Sequence, residues 1–228
     1  MKATAILPVK RFGEAKQRLL KALDRPARAA LVKAMLRDVL AAASEAEQVE
    51  RLIVVTGEGR AERIALRHAQ RTKTPLEVMR DPDDAGHSQA ATLGIVRAKA
   101  LGAECVALLP GDCPLLDSGE LDSALDRMHP GRVGVIPDRH GTGTNGLLLC
   151  PPDAIGPAFG EGSRGRHLER GHSAGYVTEI EALASLALDV DTLDDLEAMA
   201  VVLADDPGRA PATAAELARL KLPGGARP

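Results

Sequence analysis

Aromatic side chains are almost missing from this sequence, which has two Phe, one Tyr and no Trp in 228 residues. Proteins that hold single-stranded nucleic acid stack bases on several rings, and three rings make no such platform. Excess positive charge is missing as well. The net charge is -3, with 29 Lys and Arg against 32 Asp and Glu, which argues against a phosphate-backbone footprint. No apolar run approaches the roughly 20 residues that cross a bilayer. The stretch before Pro8 is too short for the apolar core of a signal peptide. Three cysteines, Cys105, Cys113 and Cys150, lack Cys-x-x-Cys spacing. An odd, scattered set fits reduced thiols in a cytosol better than a disulfide framework. A cytoplasmic protein with no membrane and no nucleic-acid partner is expected.

What is abundant is aliphatic. Hydrophobic residues make up 45% of the chain, mostly Ala, Leu and Val. The length suits one domain, expected over 1–204, with a C-terminal extension over 205–228 whose end frays. Short apolar runs alternate with amphipathic stretches. Strands are expected at 3–9, 51–56, 76–79, 105–109, 133–136, 146–150, 174–178 and 184–188. Helices are expected at 26–43, 60–71, 88–102, 118–128, 163–171 and 192–204. Pro26 suits a first helical turn, Ser118 is placed as a cap, and Thr192 with Asp195 forms a candidate capping box. The alternation predicts an α/β fold with a mostly parallel central sheet flanked by helices. Ligands in such folds sit beyond the carboxyl ends of strands, so polar residues there are the candidates.

The first strand runs into Lys10, Arg11, Phe12, Lys16 and Arg18. Four cations within nine residues suit a polyphosphate, with Arg supplying a bidentate fork and Lys a point charge. The plain alternative is a solvated basic loop. The fourth apolar run, 105–109, leads into Gly111-Asp112-Cys113-Pro114. A carboxylate held there suits Mg2+, which takes one or two such ligands plus substrate phosphates. An ordinary turn is the alternative, and Cys113 reads as packing. The apolar run at 184–188 leads into Asp189-Val190-Asp191. On extended backbone, positions two apart share a side, so both carboxylates are placed for one cation. Asp194 and Asp195 fall in a first helical turn and read as structural.

Two Gly-x-Gly-x-x-Gly stretches, at 141–146 and 160–165, lack the strand–loop–helix context of a dinucleotide fingerprint. They still offer backbone N–H groups beside Thr142, Thr144 and Ser163. The second opens a helix, a ready site for an anion, and Arg164, Arg166 and His167 are expected to add positive charge. A small phosphorylated acid fits these loops. The segment from Asp81 to Gln89 is a candidate contact for a base or ribose, with a capped surface loop as the alternative. His68, His129, His140 and His172 read as surface or core residues.

PVKRFGEAKQRL, LLPGDCPLL, DRHGTGTNGLLL, the FGEGS loop followed by RH, and LDVDTLDDL occur in that order. Together they resemble the guanylyltransferases of coenzyme F-420 biosynthesis, over about residues 3 to 200. The resemblance implies the nucleotidyltransferase type of Rossmann-like fold. It implies transfer of GMP from GTP to a three-carbon phospho-acid (2-phospholactate, phosphoenolpyruvate or 3-phosphoglycerate), with release of pyrophosphate. It puts metal ligands on Asp112, Asp189 and Asp191, with Mg2+ as cofactor. Phospho-acid contacts fall on Thr144, Gly160 and Ser163, with Arg164 beside them, and the GTP phosphates on Lys10, Lys16 and Arg18. Gly86-His87-Ser88-Gln89 departs from the Gly-Leu-Asn-like run of many members at the base-side loop. Rival readings are a molybdopterin or sugar nucleotidyltransferase, a glycosyltransferase, and a non-catalytic nucleotide-binding regulator. Small-molecule partners are expected, and a homodimer is compatible. With so few rings, a bound guanine has at most Phe12 to stack on, and its recognition is expected to rest on hydrogen bonds and aliphatic contacts.

Overall fold

The computed structural model describes residues 2–12, 19, 23–81 and 86–220. Its strands are β1 (Ala3–Val9), β2 (Val49–Thr56), β3 (Leu76–Arg80), β4 (Val106–Leu108), β5 (Arg132–Pro137), β6 (Thr144–Cys150) and β7 (Val177–Ile180). Its helices are α1 (Arg25–Glu45), α2 (Gly59–Ala69), α3 (His87–Ala100), α4 (Ser118–Asp126), α5 (Ser163–Ser173), α6 (Leu193–Asp205) and α7 (Pro211–Leu217). The strands form one sheet in the order β3-β2-β1-β4-β6-β5-β7. β6 runs antiparallel to β4 and β5, and the remaining pairs are parallel. This is the predicted α/β layering.

β1 shows how the sequence enforces it. Every residue of ATAILPV is buried, the pattern of a central parallel strand covered on both faces. Its side chains alternate between two cores. Ala3, Ala5, Leu7 and Val9 join the larger cluster with α1, and Ile6 joins the smaller one with α3. Burying a side chain such as Leu7 contributes about 1.5–3 kcal/mol. α3 lies unusually close to the sheet. A β-carbon on Gly94 would stand 2.3 Å from Ile6 Cγ2, so a larger residue there would push the helix away.

The helix ends follow from local chemistry. Asp24 caps α1 by accepting from Ala27 N at 2.8 Å, with Pro26 in the first turn. Thr192 and Asp195 form the predicted capping box on α6. α4 is capped by Asp117, whose carboxylate accepts from Glu120 N at 2.8 Å, and not by Ser118, which is already helical. α7 has no cap of its own. Asp38 of α1 supplies one, accepting from Ala212 N at 3.0 Å, Thr213 N at 2.7 Å and Thr213 Oγ1 at 2.6 Å. Burial raises the Asp38 pKa, and these hydrogen bonds oppose the rise.

Two expectations are corrected. Residues 184–188 form no strand; a 3-10 turn spans Ala184–Leu186. The run is apolar because Leu183, Leu186 and Val190 are buried in the larger core as irregular backbone. Cys105 and Cys150 are not reduced thiols. They are joined in a disulfide, with Cα atoms 4.4 Å apart. The antiparallel register pairs Val106 with Leu149, so the next pair outward is Cys105 opposite Cys150, at the close spacing of a non-hydrogen-bonded pair. Sequence spacing cannot reveal that register. Cys113 takes no part in that disulfide and is buried in the larger core, in keeping with a packing role. Among the described residues, no helix is long and apolar enough to cross a membrane.

Candidate active site

Two loops that are far apart in sequence meet beyond the sheet. The loop entering β6 is folded by Asp138, whose carboxylate accepts from Thr142 N at 2.9 Å and Gly143 N at 3.0 Å. It touches the start of α5, where Arg164 N donates to Thr142 O at 3.2 Å. Gly160 and Gly162 hold positive φ values of 114° and 66°, and Ser163 N returns to Gly160 O at 3.0 Å. These turns need glycine because other residues rarely adopt such φ values. Thr144, Gly160, Ser163 and Arg164 are thereby brought together.

His167 fixes this junction. Its ring is fully buried. Ala158 N donates to Nε2 at 2.8 Å, and Nδ1 lies 3.0 Å from Thr144 Oγ1. Since Nε2 accepts, the neutral ring carries its proton on Nδ1 and donates to Thr144. That leaves the threonine hydroxyl hydrogen free to point at a ligand. Burial, reinforced by the charges of Arg170 and Arg166, lowers the His167 pKa to about 4. The expected positive charge on His167 is therefore wrong. Arg166 is also occupied, since its Nη2 donates to Ala158 O at 2.9 Å. Ser163 differs from its neighbours. It is 1% exposed, and its Oγ has no hydrogen-bond partner among the described residues. An orphaned buried hydroxyl at a helix N-terminus is costly unless a ligand satisfies it.

The chain's similarities bear on these loops once their geometry is known. The sequence profile of the Guanylyl transferase CofC like family matches residues 3–207. The chain belongs to that family. It is 43% identical to a phosphoenolpyruvate guanylyltransferase of Conexibacter woesei, covering 96% of this chain and 97% of that protein. A crystal structure from Desulfovibrio desulfuricans G20, assigned as a nucleotide-diphospho-sugar transferase, superposes with a TM-score of 0.72 at 19% identity, over 96% of this chain and 95% of that one. A nucleotidyl transferase of Methanothermobacter superposes with a TM-score of 0.61 at 15% identity, over 90% and 98%. The fold is thus that of the nucleotidyltransferases, and the chain is a guanylyltransferase.

In this CofC-like chain the carboxylate segments border the same loops. Asn145 is the link. Its Nδ2 donates to Leu186 O at 2.9 Å and Ala187 O at 3.1 Å, and reaches Asp189 Oδ1 at 3.3 Å. The amide does what a strand ladder would otherwise do, fixing irregular backbone that carries Asp189. Asp189 and Asp191 lie on irregular backbone outside the sheet. Asp191 N donates to Asp195 Oδ2 at 3.0 Å, and Asp195 Oδ1 pairs with Arg139 at 2.5 Å. Asp195 is structural, as expected. The Asp112 segment lies alongside, with Cys113 Sγ 3.6 Å from Leu186 O. Among the described residues no three His, Cys, Asp or Glu side chains gather as a metal cluster. Mg2+ needs only one or two carboxylates when phosphates supply other ligands, and the all-oxygen donors here suit it. Asn145 was missed as a functional residue, and His167 was expected as a charge rather than as a neutral hydrogen-bonding ring. Asn145 stands inside the quoted TNGLLL run, but nothing local ties it to Asp189 across 44 positions.

On the other side, Lys10 leaves β1 exposed to solvent. Lys16 and Arg18 lie outside the described residues. Phe12 cannot stack on a base. It is 1% exposed within the core, its N–H donates to Glu58, and Arg60 lies 5.3 Å above its ring. The hydrogen bond from Arg60 is the main cause that lowers the Glu58 pKa to about 2. Phe159 faces the acceptor loop from the other aromatic position, packing edge-on against His87 and His167 with centroids at 4.8 and 5.3 Å. Phe159 N also donates to Ser88 Oγ at 2.9 Å, joining the α3 entrance to the α5 entrance.

Proposed function

We propose that this enzyme transfers GMP from GTP to the phosphate of phosphoenolpyruvate, with Mg2+, as a step in coenzyme F-420 biosynthesis in the cytoplasm. The family, and the name of the Conexibacter woesei relative, favour phosphoenolpyruvate over 2-phospholactate and 3-phosphoglycerate. The observation that carries the reading is the unsatisfied Ser163 hydroxyl at the start of α5, the helix whose His167 holds the Thr144 hydroxyl. A small phosphorylated acid supplies the acceptor oxygens that both need.

A phosphate oxygen of the acceptor attacks the α-phosphorus of GTP. The new P–O bond forms as the bond to the bridging α–β oxygen breaks, and pyrophosphate leaves with that electron pair. The nucleophile is already an anion, so no general base is required. The residues must instead position two polyanions and offset their charge. Thr144, Gly160, Ser163 and Arg164 hold the acceptor. Lys10, with Lys16 and Arg18, meets the phosphates of GTP. One or two of Asp112, Asp189 and Asp191, together with substrate phosphates, would hold Mg2+, which when bound would lower the repulsion between the two sets of phosphates. Pyrophosphate release with Mg2+, measured for GTP, ATP, CTP and UTP against each of the three acids, tests the reading. Release is expected with GTP and phosphoenolpyruvate. If no acid stimulates release from GTP, the proposal fails.

A further inference from the structure

The loop entering β6 grips the carboxylate segment at two points. Beyond the loop, Asn145 Nδ2 donates to Leu186 O and Ala187 O and reaches Asp189 Oδ1. Before its turn, Arg139 Nη2 meets Asp195 Oδ1 at 2.5 Å. Asp191 lies between the two grips in sequence. The reaction above makes no use of the second grip. The Asp195 side chain is 5% exposed, against 30% for that of Arg139. Its other oxygen, Oδ2, accepts from Asp191 N at 3.0 Å, Thr192 N at 2.7 Å and Thr192 Oγ1 at 2.8 Å. A buried carboxylate stays ionised at low cost only when it is paired and hydrogen-bonded. Arg139 supplies the opposite charge, and the carboxylate so held fixes the backbone N–H of Asp191.

Asp191 and Asp195 are chemically the same cation ligand, four residues apart. The guanidinium separates their roles. With Oδ1 on Arg139 and Oδ2 taken by three donors, both oxygens of Asp195 are engaged in the α6 cap. Arg139 is itself anchored, because it follows Asp138, whose carboxylate accepts from Thr142 N and Gly143 N and folds the acceptor loop. We propose that Arg139 is a positioning residue for the cation carboxylates. By holding Asp195 in the cap, it sets Asp191 in place relative to the loop that leads to Thr144. It acts through Asp195, not through contact with GTP or the acid. The assignment deepens the guanylyltransferase reading and rests on its Mg2+ site.

Calorimetry of GTP binding, once with Mg2+ and once with EDTA, tests this without turnover. The ratio of the two affinities is the tightening that the cation supplies. Arg139→Met should cut that ratio by about 10-fold, the effect of losing an outer partner of a metal ligand. Its affinity for metal-free GTP should change by about 2-fold or less, which also shows that the variant is folded. Arg139→Lys keeps a charge beside Asp195 and should retain most of the tightening. In an Asp195→Asn background no buried charge remains to be offset, so adding Arg139→Met should change the ratio by about 2-fold or less. An unchanged ratio in Arg139→Met overturns the proposal. The same loss in the Asp195→Asn background overturns it too, since Arg139 would then not act through Asp195. A larger fall for metal-free GTP than for GTP with Mg2+ would mark a direct phosphate contact, and would also overturn it. If the unaltered enzyme binds GTP equally with and without Mg2+, the Mg2+ site of the parent reading falls, and the role of Arg139 with it.

Discussion

Around Thr144 and Ser163, side chains reach directly into the loops that would touch a substrate. Asp138 holds Thr142 and Gly143, His167 holds Ala158 and Thr144, and Asn145 holds the backbone before Asp189. Around Lys10 and Asp81 the ties stop one step short. Thr56 Oγ1 donates to Val9 O at 2.7 Å and Glu58 accepts from Phe12 N at 3.1 Å, so strand ends are fixed. Lys10 and Asp81 line a narrow cleft there. The contrast follows from what each side would bind. A three-carbon acid offers few atoms, so its site must be arranged in advance. A nucleoside triphosphate brings a base, a sugar and three phosphates, and can organise ionic side chains on arrival.

This contrast is broken most severely at the carboxylates, which would serve both sides. Asp112→Ala is expected to reduce kcat by roughly 1000-fold or more, because the charge offset by the metal is lost. Its thermal midpoint should stay near that of the unaltered protein. Near-full activity would remove Asp112 from the metal site. A smaller effect is expected from Asn145→Ala, which leaves every carboxylate in place and removes the amide that steadies Asp189. Losing such an outer partner should raise the Mg2+ concentration for half-maximal activity by about 10- to 100-fold. An unchanged Mg2+ requirement would show that Asn145 only packs.

The smallest effect concerns stability. The folded His167 pKa lies below its ordinary value, at about 4, so between pH 6.5 and 4 the unfolded chain binds the proton and the folded one does not. Stability from this group is complete above pH 6.5 and falls as pH drops toward 4. The loss by pH 5 is on the order of 2 kcal/mol. Urea unfolding at pH 7 and pH 5 should therefore show a smaller acid effect in His167→Gln than in the unaltered protein. Equal pH dependence in the two would mean that His167 is already protonated in the fold.

The parts legible in the sequence were those written in local order. Period and capping residues placed β1, α1 and α6 within a few positions, because burial repeats along a strand or helix face. The loops around Thr144 and Ser163 were legible because glycine turns and hydroxyls stand together. What stayed hidden depends on pairs distant in sequence. The charge of His167 depends first on its burial against residues such as Thr144, 23 positions away. The environment of Phe12 depends on Glu58 and Arg60, 46 and 48 positions away. The apolar run at 184–188 had the composition of a strand, but it pairs with no strand of the sheet, and the Asn145 amide binds Leu186 O and Ala187 O instead.

The cap that Asp38 lends to α7 spans 174 residues. At roughly 5–20 residues per second of synthesis, about 9–35 seconds separate the making of the two partners. During that interval the end of α1 that α7 will cover faces water, and Asp38 is hydrated and fully ionised. Docking of α7 is thus a late event in the life of each new chain, and it converts a solvated charge into a buried one.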